Sequence, residues 1–316
     1  MSEKEGRSVA GPEVDSDGFR SGFVCLVGRP NTGKSTLTNA LVGAKVAITS
    51  SRPQTTRHTI RGIIHRDDAQ IILVDTPGLH RPRTLLGQRL NDLVRDTYAE
   101  VDAVGICIPA DEKIGPGDRW IHEQIRAVAP KTTLFGIVTK IDKVSKSAVA
   151  EQLVALSQLL GPEHEVIPVS AESGENLDRV VTLLRSLMPE GPAYYPDGEL
   201  TDEPETVLMA ELIREAALEG VRDELPHSLA VVIEEVNDSK NRRGEPVLTI
   251  FANLYVERPS QKAIVIGKGG ARLRDVGTQA RQQLEKIFGT KVFLDMHVKV
   301  AKDWQRDPKQ LGKLGF

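Results

Sequence analysis

Hydrophobic positions follow two regimes along the chain. From Phe23 to Leu187, short apolar runs alternate with stretches in which apolar residues recur every three or four positions. The runs Phe23–Val27, His58–His65, Ile71–Val74, Ala103–Pro109, Thr133–Val138 and Glu165–Pro168 have the length and β-branched content of buried strands. Between most of them, Thr36–Val42, Leu85–Ala99, Gly117–Ala129, Lys146–Leu159 and Asn176–Met188 read as helices. Such alternation predicts an α/β fold, a mostly parallel sheet with helices on both faces. The pattern breaks in a run of prolines and glycines after Met188, which predicts a linker over 189–200. Beyond it, Leu208, Leu212, Ala216, Val221 and Leu225 keep helical spacing. Leu229–Val236 and Val247–Glu257 follow as strands around a polar turn, Asn237–Pro246. The apolar run Ala263–Ile266, a glycine cluster, a helix to Phe288 and a strand at Lys291–Val300 complete a smaller α+β unit. The predicted division is a polar tail at 1–20, an α/β domain at 21–188, the linker, and a second domain at 201–316 with a basic C-terminal tail.

The chain of 316 residues suits two domains, and 40% hydrophobic with 27% charged residues is ordinary for a soluble globular protein. A net charge of −3 gives no global attraction to nucleic acid or anionic lipid, so such a partner needs a local patch. Cys25 and Cys107 form no CxxC pair and lie in strand runs, which predicts buried thiols and suits a reducing cytosol. No apolar run is long enough to cross a membrane. Met1–Arg20 lacks the apolar core of a secretory signal and reads as disordered.

The chemistry concentrates where strands end. Phe23–Val27 leads into Gly28-Arg29-Pro30-Asn31-Thr32-Gly33-Lys34-Ser35 and then a helix from Thr36. Strand, glycine-rich loop and helix form a phosphate-binding loop, in which backbone N–H groups face phosphate oxygens. Lys34 adds charge near the β- and γ-phosphates, and Ser35 offers a hydroxyl to Mg²⁺. Ile71–Val74 ends in Asp75-Thr76-Pro77-Gly78, a carboxylate placed for Mg²⁺ and a glycine N–H for the γ-phosphate. Between these lies Gln54-Thr55-Thr56-Arg57, from which Thr56, in preference to Thr55, could reach the metal. Thr133–Val138 ends in Thr139-Lys140-Ile141-Asp142; the aspartate can accept from guanine N1 and N2, donors that adenine lacks. Lys140 can lay its stem over the base. At Ser170-Ala171 a backbone N–H could meet guanine O6. His58, His65, His80 and His122 lack ligand-like spacing.

In the second unit, Gly267-Lys268-Gly269-Gly270 precedes a helix. In a helix, strand, strand, helix, loop, helix, strand order, this resembles the Gly-x-x-Gly loop of a type II KH fold, which would clamp about four nucleotides. Arg258, Lys262, Lys268, Arg272, Arg274, Arg281 and Lys286 face only Asp275 and Glu285 over Arg258–Lys286, whereas Asp202–Glu235 holds ten acids. One basic and one acidic face result, and RNA would take the former; Arg272 and Arg274 join the loop as expected contacts. The tail Lys299–Phe316 reads as an amphipathic helix on the KH body.

Together, Gly28–Ser35, Thr56, Asp75–Gly78, Thr139–Asp142 and Ser170–Ala171 resemble the five motifs of translation-factor-class GTPases. Gly-Arg-Pro-Asn-Thr-Gly-Lys-Ser followed by Gln-Thr-Thr-Arg-His resembles the Era family most closely. The resemblance implies a Ras-like GTPase domain followed by a KH domain, with GTP or GDP and Mg²⁺ as ligands. It implies binding to the 3′ end of 16S rRNA, a role in 30S subunit assembly, and a cytoplasmic monomer partly found at the inner face of the cell membrane. Two positions depart from the family: Thr139 stands for the usual asparagine, and Thr32 for a common valine. Leu79 stands where Ras-like enzymes carry a water-orienting glutamine. In some relatives with an apolar residue there, a phosphate-loop asparagine helps bind K⁺; Asn31 matches it, so Asn31, Lys34, Thr56 and Gly78 are the expected catalytic set. The alternative is an RNA-binding protein holding a structural, poorly hydrolysed guanine nucleotide.

Overall fold

The computed structural model describes residues 18–49, 57, 59–77, 84–219 and 228–316. Thr56, Gly78, Leu79, His58, His80 and most of the N-terminal tail lie outside them. The first unit runs β1 (Arg20–Val27), α1 (Lys34–Val42), β2 (Ile60–Arg66), β3 (Ala69–Asp75), α2 (Leu85–Glu100) and β4 (Ala103–Pro109). It continues through α3 (Pro116–Val128), β5 (Thr133–Thr139), α4 (Lys146–Leu160), β6 (Val166–Pro168) and α5 (Leu177–Leu187). The strand order is β2-β3-β1-β4-β5-β6, parallel except for the β2–β3 pair. Strand alternation sends Val24 and Leu26 of β1 to the face covered by α1 and α5, and Cys25 and Val27 to the face covered by α2, α3 and α4. Both faces are dry, which is why the strands read as continuous apolar runs. Burial pushes both thiols up to about 12, so neither is a nucleophile at neutral pH.

The order places β1 beside β3 on one side and β4 on the other. Successive crossovers therefore diverge around β1, and a crevice opens at the carboxyl ends of these strands, where α/β sheets bind ligands.

The second unit comprises α6 (Glu205–Leu218), β7 (Ala230–Lys240), β8 (Pro246–Val256), α7 (Pro259–Ile266), α8 (Ala271–Phe288) and β9 (Lys291–Val300). Its sheet runs β7-β8-β9, with β8 antiparallel to β7 and parallel to β9. Leu212, Ile250, Leu254, Val276, Ala280 and Leu284 form its core.

Two expectations change, and one segment gains detail. The connection at 189–200 is fastened to the first unit: Gln70 binds the backbone of Tyr194 and Tyr195, and Ile63 N donates to Leu200 O at 2.9 Å. The buried amide of Gln70 satisfies backbone groups of that proline-rich chain at Tyr194 and Tyr195. Half of the polar stretch expected as a turn is strand, because Asn237–Lys240 still pair with Thr249–Pro246 although their side chains face water, and the turn itself is confined to residues 241–245. The basic tail is no single helix. A turn at Trp304–Arg306 and a short helix α9 (Pro308–Lys313) wedge between α2 and the second sheet.

Candidate nucleotide site and nucleic-acid interface

The phosphate loop leaves β1 and returns into α1. A Cβ at Gly28 would stand 2.6 Å from the Cys107 carbonyl oxygen, so only glycine lets the loop pass β4. Gly33 opens α1 in the left-handed region (φ 92°), and no side chain caps that end, leaving the helix N–H groups for an anion. Lys34 is buried, and its Nζ donates to the carbonyl oxygens of Gly28 (3.1 Å) and Arg29 (2.9 Å). Burial lowers its pKa, opposed by Asp75. Arg29 turns outward, its Nε donating to buried Asp118 at 2.8 Å, with Glu112 3.0 Å from its Nη2. Asn31 is exposed with φ 64°.

Ser35 Oγ donates to Asp75 Oδ2 at 2.7 Å, and Asp75 is fully buried. A hydroxyl and a carboxylate oxygen, adjoining an ammonium and a helix N-terminus, are the hard donor set that Mg²⁺ takes beside phosphates. Thr76 is committed elsewhere, its hydroxyl 3.4 Å from Leu26 O, and Pro77 is buried.

A second cleft adjoins the loop, lined in part by Gly33, Thr36, Thr139, Lys140, Asp142 and Ala171. Lys140 adopts φ 57°, and its Cε would lie 4.0 Å from a Cβ at Gly33, so its stem borders the cleft. Asp142 is exposed, and Ser170 Oγ donates to its Oδ1 at 2.6 Å. Ser170 thus orients the carboxylate, while Ser173 N in turn donates to Ser170 Oγ at 3.1 Å. Ile141 points into the core.

Thr139 takes a definite role. Its hydroxyl donates to the Thr32 carbonyl at 2.6 Å, tying the end of β5 to the phosphate loop. Thr32 Oγ1 donates within the loop to Arg29 O at 3.1 Å. Thr139→Val keeps the shape and leaves a buried carbonyl unpaired, a cost of about 1–3 kcal/mol. Faster guanine-nucleotide release, by roughly tenfold, is expected in stopped-flow; an unchanged rate contradicts the tie.

In the second unit Gly267, Gly269 and Gly270 have φ of 72°, 59° and 78°. Positive φ at three glycines bends the backbone outward with Lys268 exposed at its apex. The loop opens onto a groove between α8 and β9, lined by Gly270, Leu273, Arg274, Arg281, Phe293 and Met296, among others. Phe293 is 56% exposed, unusual for a large apolar side chain and suited to stacking on a base. The reading of the sequence missed Phe293 and did not place Arg281 at this site; an aromatic on the outer face of a strand carries no local signal. Arg272 does not join them: its Nη2 donates to the carbonyl oxygens of Ala217 (3.1 Å) and Glu219 (2.6 Å), closing the C-terminus of α6.

These features define a P-loop GTPase fold joined to a KH fold. A family model described as a 50S ribosome-binding GTPase matches residues 23–140, and a KH-domain model matches 224–305. GTPase Era of Mycolicibacterium smegmatis is 77% identical over 298 residues, covering 94% of this chain and 99% of that protein. GTPase Era of Mycobacterium tuberculosis is 72% identical over 299 residues, again 94% and 99%. Among solved structures, Era in complex with MgGDPNP and nucleotides 1506–1542 of 16S ribosomal RNA is 36% identical, with a TM-score of 0.88 over 94% of this chain and 99% of that one. An Aquifex aeolicus Era variant bound to GDP·AlF₄⁻ matches with the same values. The chain belongs to the Era family of GTPases.

Proposed function

We propose that this chain is a GTP-hydrolysing switch that binds the 3′ region of 16S rRNA through its KH module and acts in 30S subunit assembly. The observation that carries the RNA half is the Gly267–Gly270 loop opening onto an apolar groove with an exposed Phe293 and the Arg274 and Arg281 rim. The relative solved with MgGDPNP and a 16S rRNA fragment, alike over 94% of the chain, supports both ligands. The working division is a GTPase domain at 21–188, a connecting segment at 189–200 and the KH module with its tail at 201–316.

In this reading the N–H groups of the loop from Gly28 to Ser35 and the start of α1 at Thr36 hold the phosphates. Lys34 leaves its two carbonyl partners for the β- and γ-phosphates. Ser35 and Asp75 would hold Mg²⁺, with Thr56 as a third oxygen ligand; the ion supplies neutralisation of phosphate charge. The Gly78 amide is assigned to the γ-phosphate, with Thr76, Pro77 and Leu79 belonging to the same motif. Asp142 reads guanine N1 and N2, Lys140 covers the base, Ala171 N meets O6, and Ser170, Thr139 and Ile141 position these groups.

Asn31 is proposed to hold K⁺ that stabilises transition-state charge. Turnover is then expected to be higher in K⁺ than in Na⁺ at matched ionic strength, and equal rates remove that role. Among the described residues no helix is long and apolar enough to cross a membrane; a cytoplasmic monomer with a peripheral fraction at the inner membrane face belongs to the same reading.

The test of the RNA half is fluorescence anisotropy with a labelled RNA of the 16S 3′-end sequence. Lys268→Asp with Gly269→Asp places two carboxylates at the loop apex and is expected to weaken binding at least tenfold while leaving GTP affinity unchanged. Equal RNA affinity in the double variant sinks the assignment of the loop.

A further inference from the structure

Two stretches of the GTPase domain enter the second unit, one before residues 50–56 and one after. On the near side, Asn39 of α1 holds the following chain, accepting from Val46 N and Ala47 N at 2.9 Å and donating to Ala47 O at 2.7 Å. The next residues leave the domain: Ile48 is buried in the core of the KH unit. Thr49 N donates to Glu215 Oε1 on α6 at 2.7 Å; Lys45 Nζ pairs with the same carboxylate and donates to Gln283 on α8 at 2.7 Å. The helix that follows the phosphate loop is thus joined through residues 45–49 to the helix that follows the Gly-x-x-Gly loop.

On the far side stands Arg57, only 2% exposed. Its Nη1 donates to Leu229 O at 2.7 Å, one residue before β7 begins. Its guanidinium carbon lies 5.8 Å from the Trp304 ring centroid and 5.9 Å from that of Phe316. These rings stack on one another, 5.5 Å apart and 22° from parallel. Trp304 is itself fixed, its Nε1 donating to Ser228 O at 3.0 Å. The same segment receives α2, the helix beyond the Asp75 motif. Leu86 and Leu90 pack with Trp304, Leu311 and Leu314, and Arg89 Nη1 donates to Phe316 O at 2.7 Å.

A buried arginine is a costly way to fill space. A charged group out of water needs hydrogen bonds and facing charge or π density; Arg57 has a carbonyl and two aromatic faces, with the carboxylates of Glu211 and Glu257 set against the like charge of Arg214. An aliphatic side chain would pack there more cheaply. The planar guanidinium adds a directional lock between an end of the segment carrying Thr56 and the chain at 301–316.

We propose that Arg57 is a positioning residue, locked by Trp304, Phe316 and the Leu229 carbonyl, through which the guanine-nucleotide site and the RNA groove set each other's affinity. The inference rests on the GTP-switched RNA-binding reading given above. Linkage makes the effect reciprocal: the factor by which a GTP analogue changes RNA affinity relative to GDP is the factor by which RNA changes the preference between the nucleotides. Couplings of this kind are typically about 5–150-fold.

The test uses the full chain and two variants. Arg57→Lys keeps the charge and loses the planar fork that stacks. Phe316→Ala removes one ring from the edge of the cluster and serves if Arg57→Lys does not fold. Anisotropy with the labelled 16S 3′-end RNA, in GDP and in GMPPNP, gives the ratio of RNA affinities, and nucleotide affinities are measured with and without RNA. The parent is expected to show a ratio of at least about fivefold. Each variant is expected to retain nucleotide binding and RNA binding in GDP, while the ratio falls to within twofold of one. A variant that loses thermal stability but keeps the parent's ratio overturns the proposal, since Arg57 is then structural only. A ratio of one in the parent also overturns it, while parent binding of GTP and RNA leaves the underlying reading intact.

Discussion

Lys34→Ala is expected to lower GTP hydrolysis by about 10²–10³-fold, a loss of roughly 3–4 kcal/mol of transition-state stabilisation. Lys34 is held by two backbone carbonyl oxygens of the loop, and burial has stripped it of most water. Its ammonium is therefore prepaid in orientation, and a phosphate oxygen need only replace a carbonyl. At about 4 Å and an effective dielectric of about 20, a unit charge is worth about 4 kcal/mol, enough to outweigh the loop hydrogen bonds given up. Single-turnover hydrolysis checks this, with fluorescent-nucleotide titration to separate binding from chemistry. A fall of less than tenfold in kcat/KM would remove Lys34 from the phosphate site.

Asp142→Asn is expected to invert base preference. A carboxylate pairs two donors of guanine, and charged hydrogen bonds are worth about 1.5–3 kcal/mol each, so GTP affinity should fall by roughly 10²–10⁴-fold. Asparagine offers one acceptor and one donor. Xanthine carries a carbonyl where guanine has its 2-amino group, so XTP should bind the variant better than GTP does. The Ser170 hydroxyl keeps the side chain oriented in both, which isolates the change of partner from a loss of geometry. Competition between GTP and XTP for the parent and the variant reads the inversion directly. An unchanged GTP preference contradicts the assignment of Asp142 to the base.

The fold and the strand-end motifs of the candidate site were legible for a common reason. A phosphate loop needs glycine where the backbone passes another strand, as Gly28 passes β4, and such needs leave a local imprint in sequence. Strands buried on both faces imprint as apolar runs, which is how the α/β order from β1 to α5 could be read. Where roles depend on distant partners, the imprint fails. Thr139 could be read only as a missing amide, because its bond to Thr32 O joins positions 107 residues apart. Arg272 counted as basic surface, yet its place beside the C-terminus of α6 turns it into a helix clasp. The connection 189–200 had the composition of a linker, and nothing in it announced that Gln70, far upstream, fastens it. The tail Lys299–Phe316 read as an amphipathic helix on the KH body, but Trp304 and Leu311 are buried against α2 as well.

The most direct test of the account is cross-linking in cells followed by sequencing of the bound RNA, comparing the natural chain with the Lys268→Asp, Gly269→Asp variant. The account predicts reads concentrated at the 16S rRNA 3′ end in the natural chain and lost from the variant. Reads elsewhere, or reads at that end that persist in the variant, would contradict it.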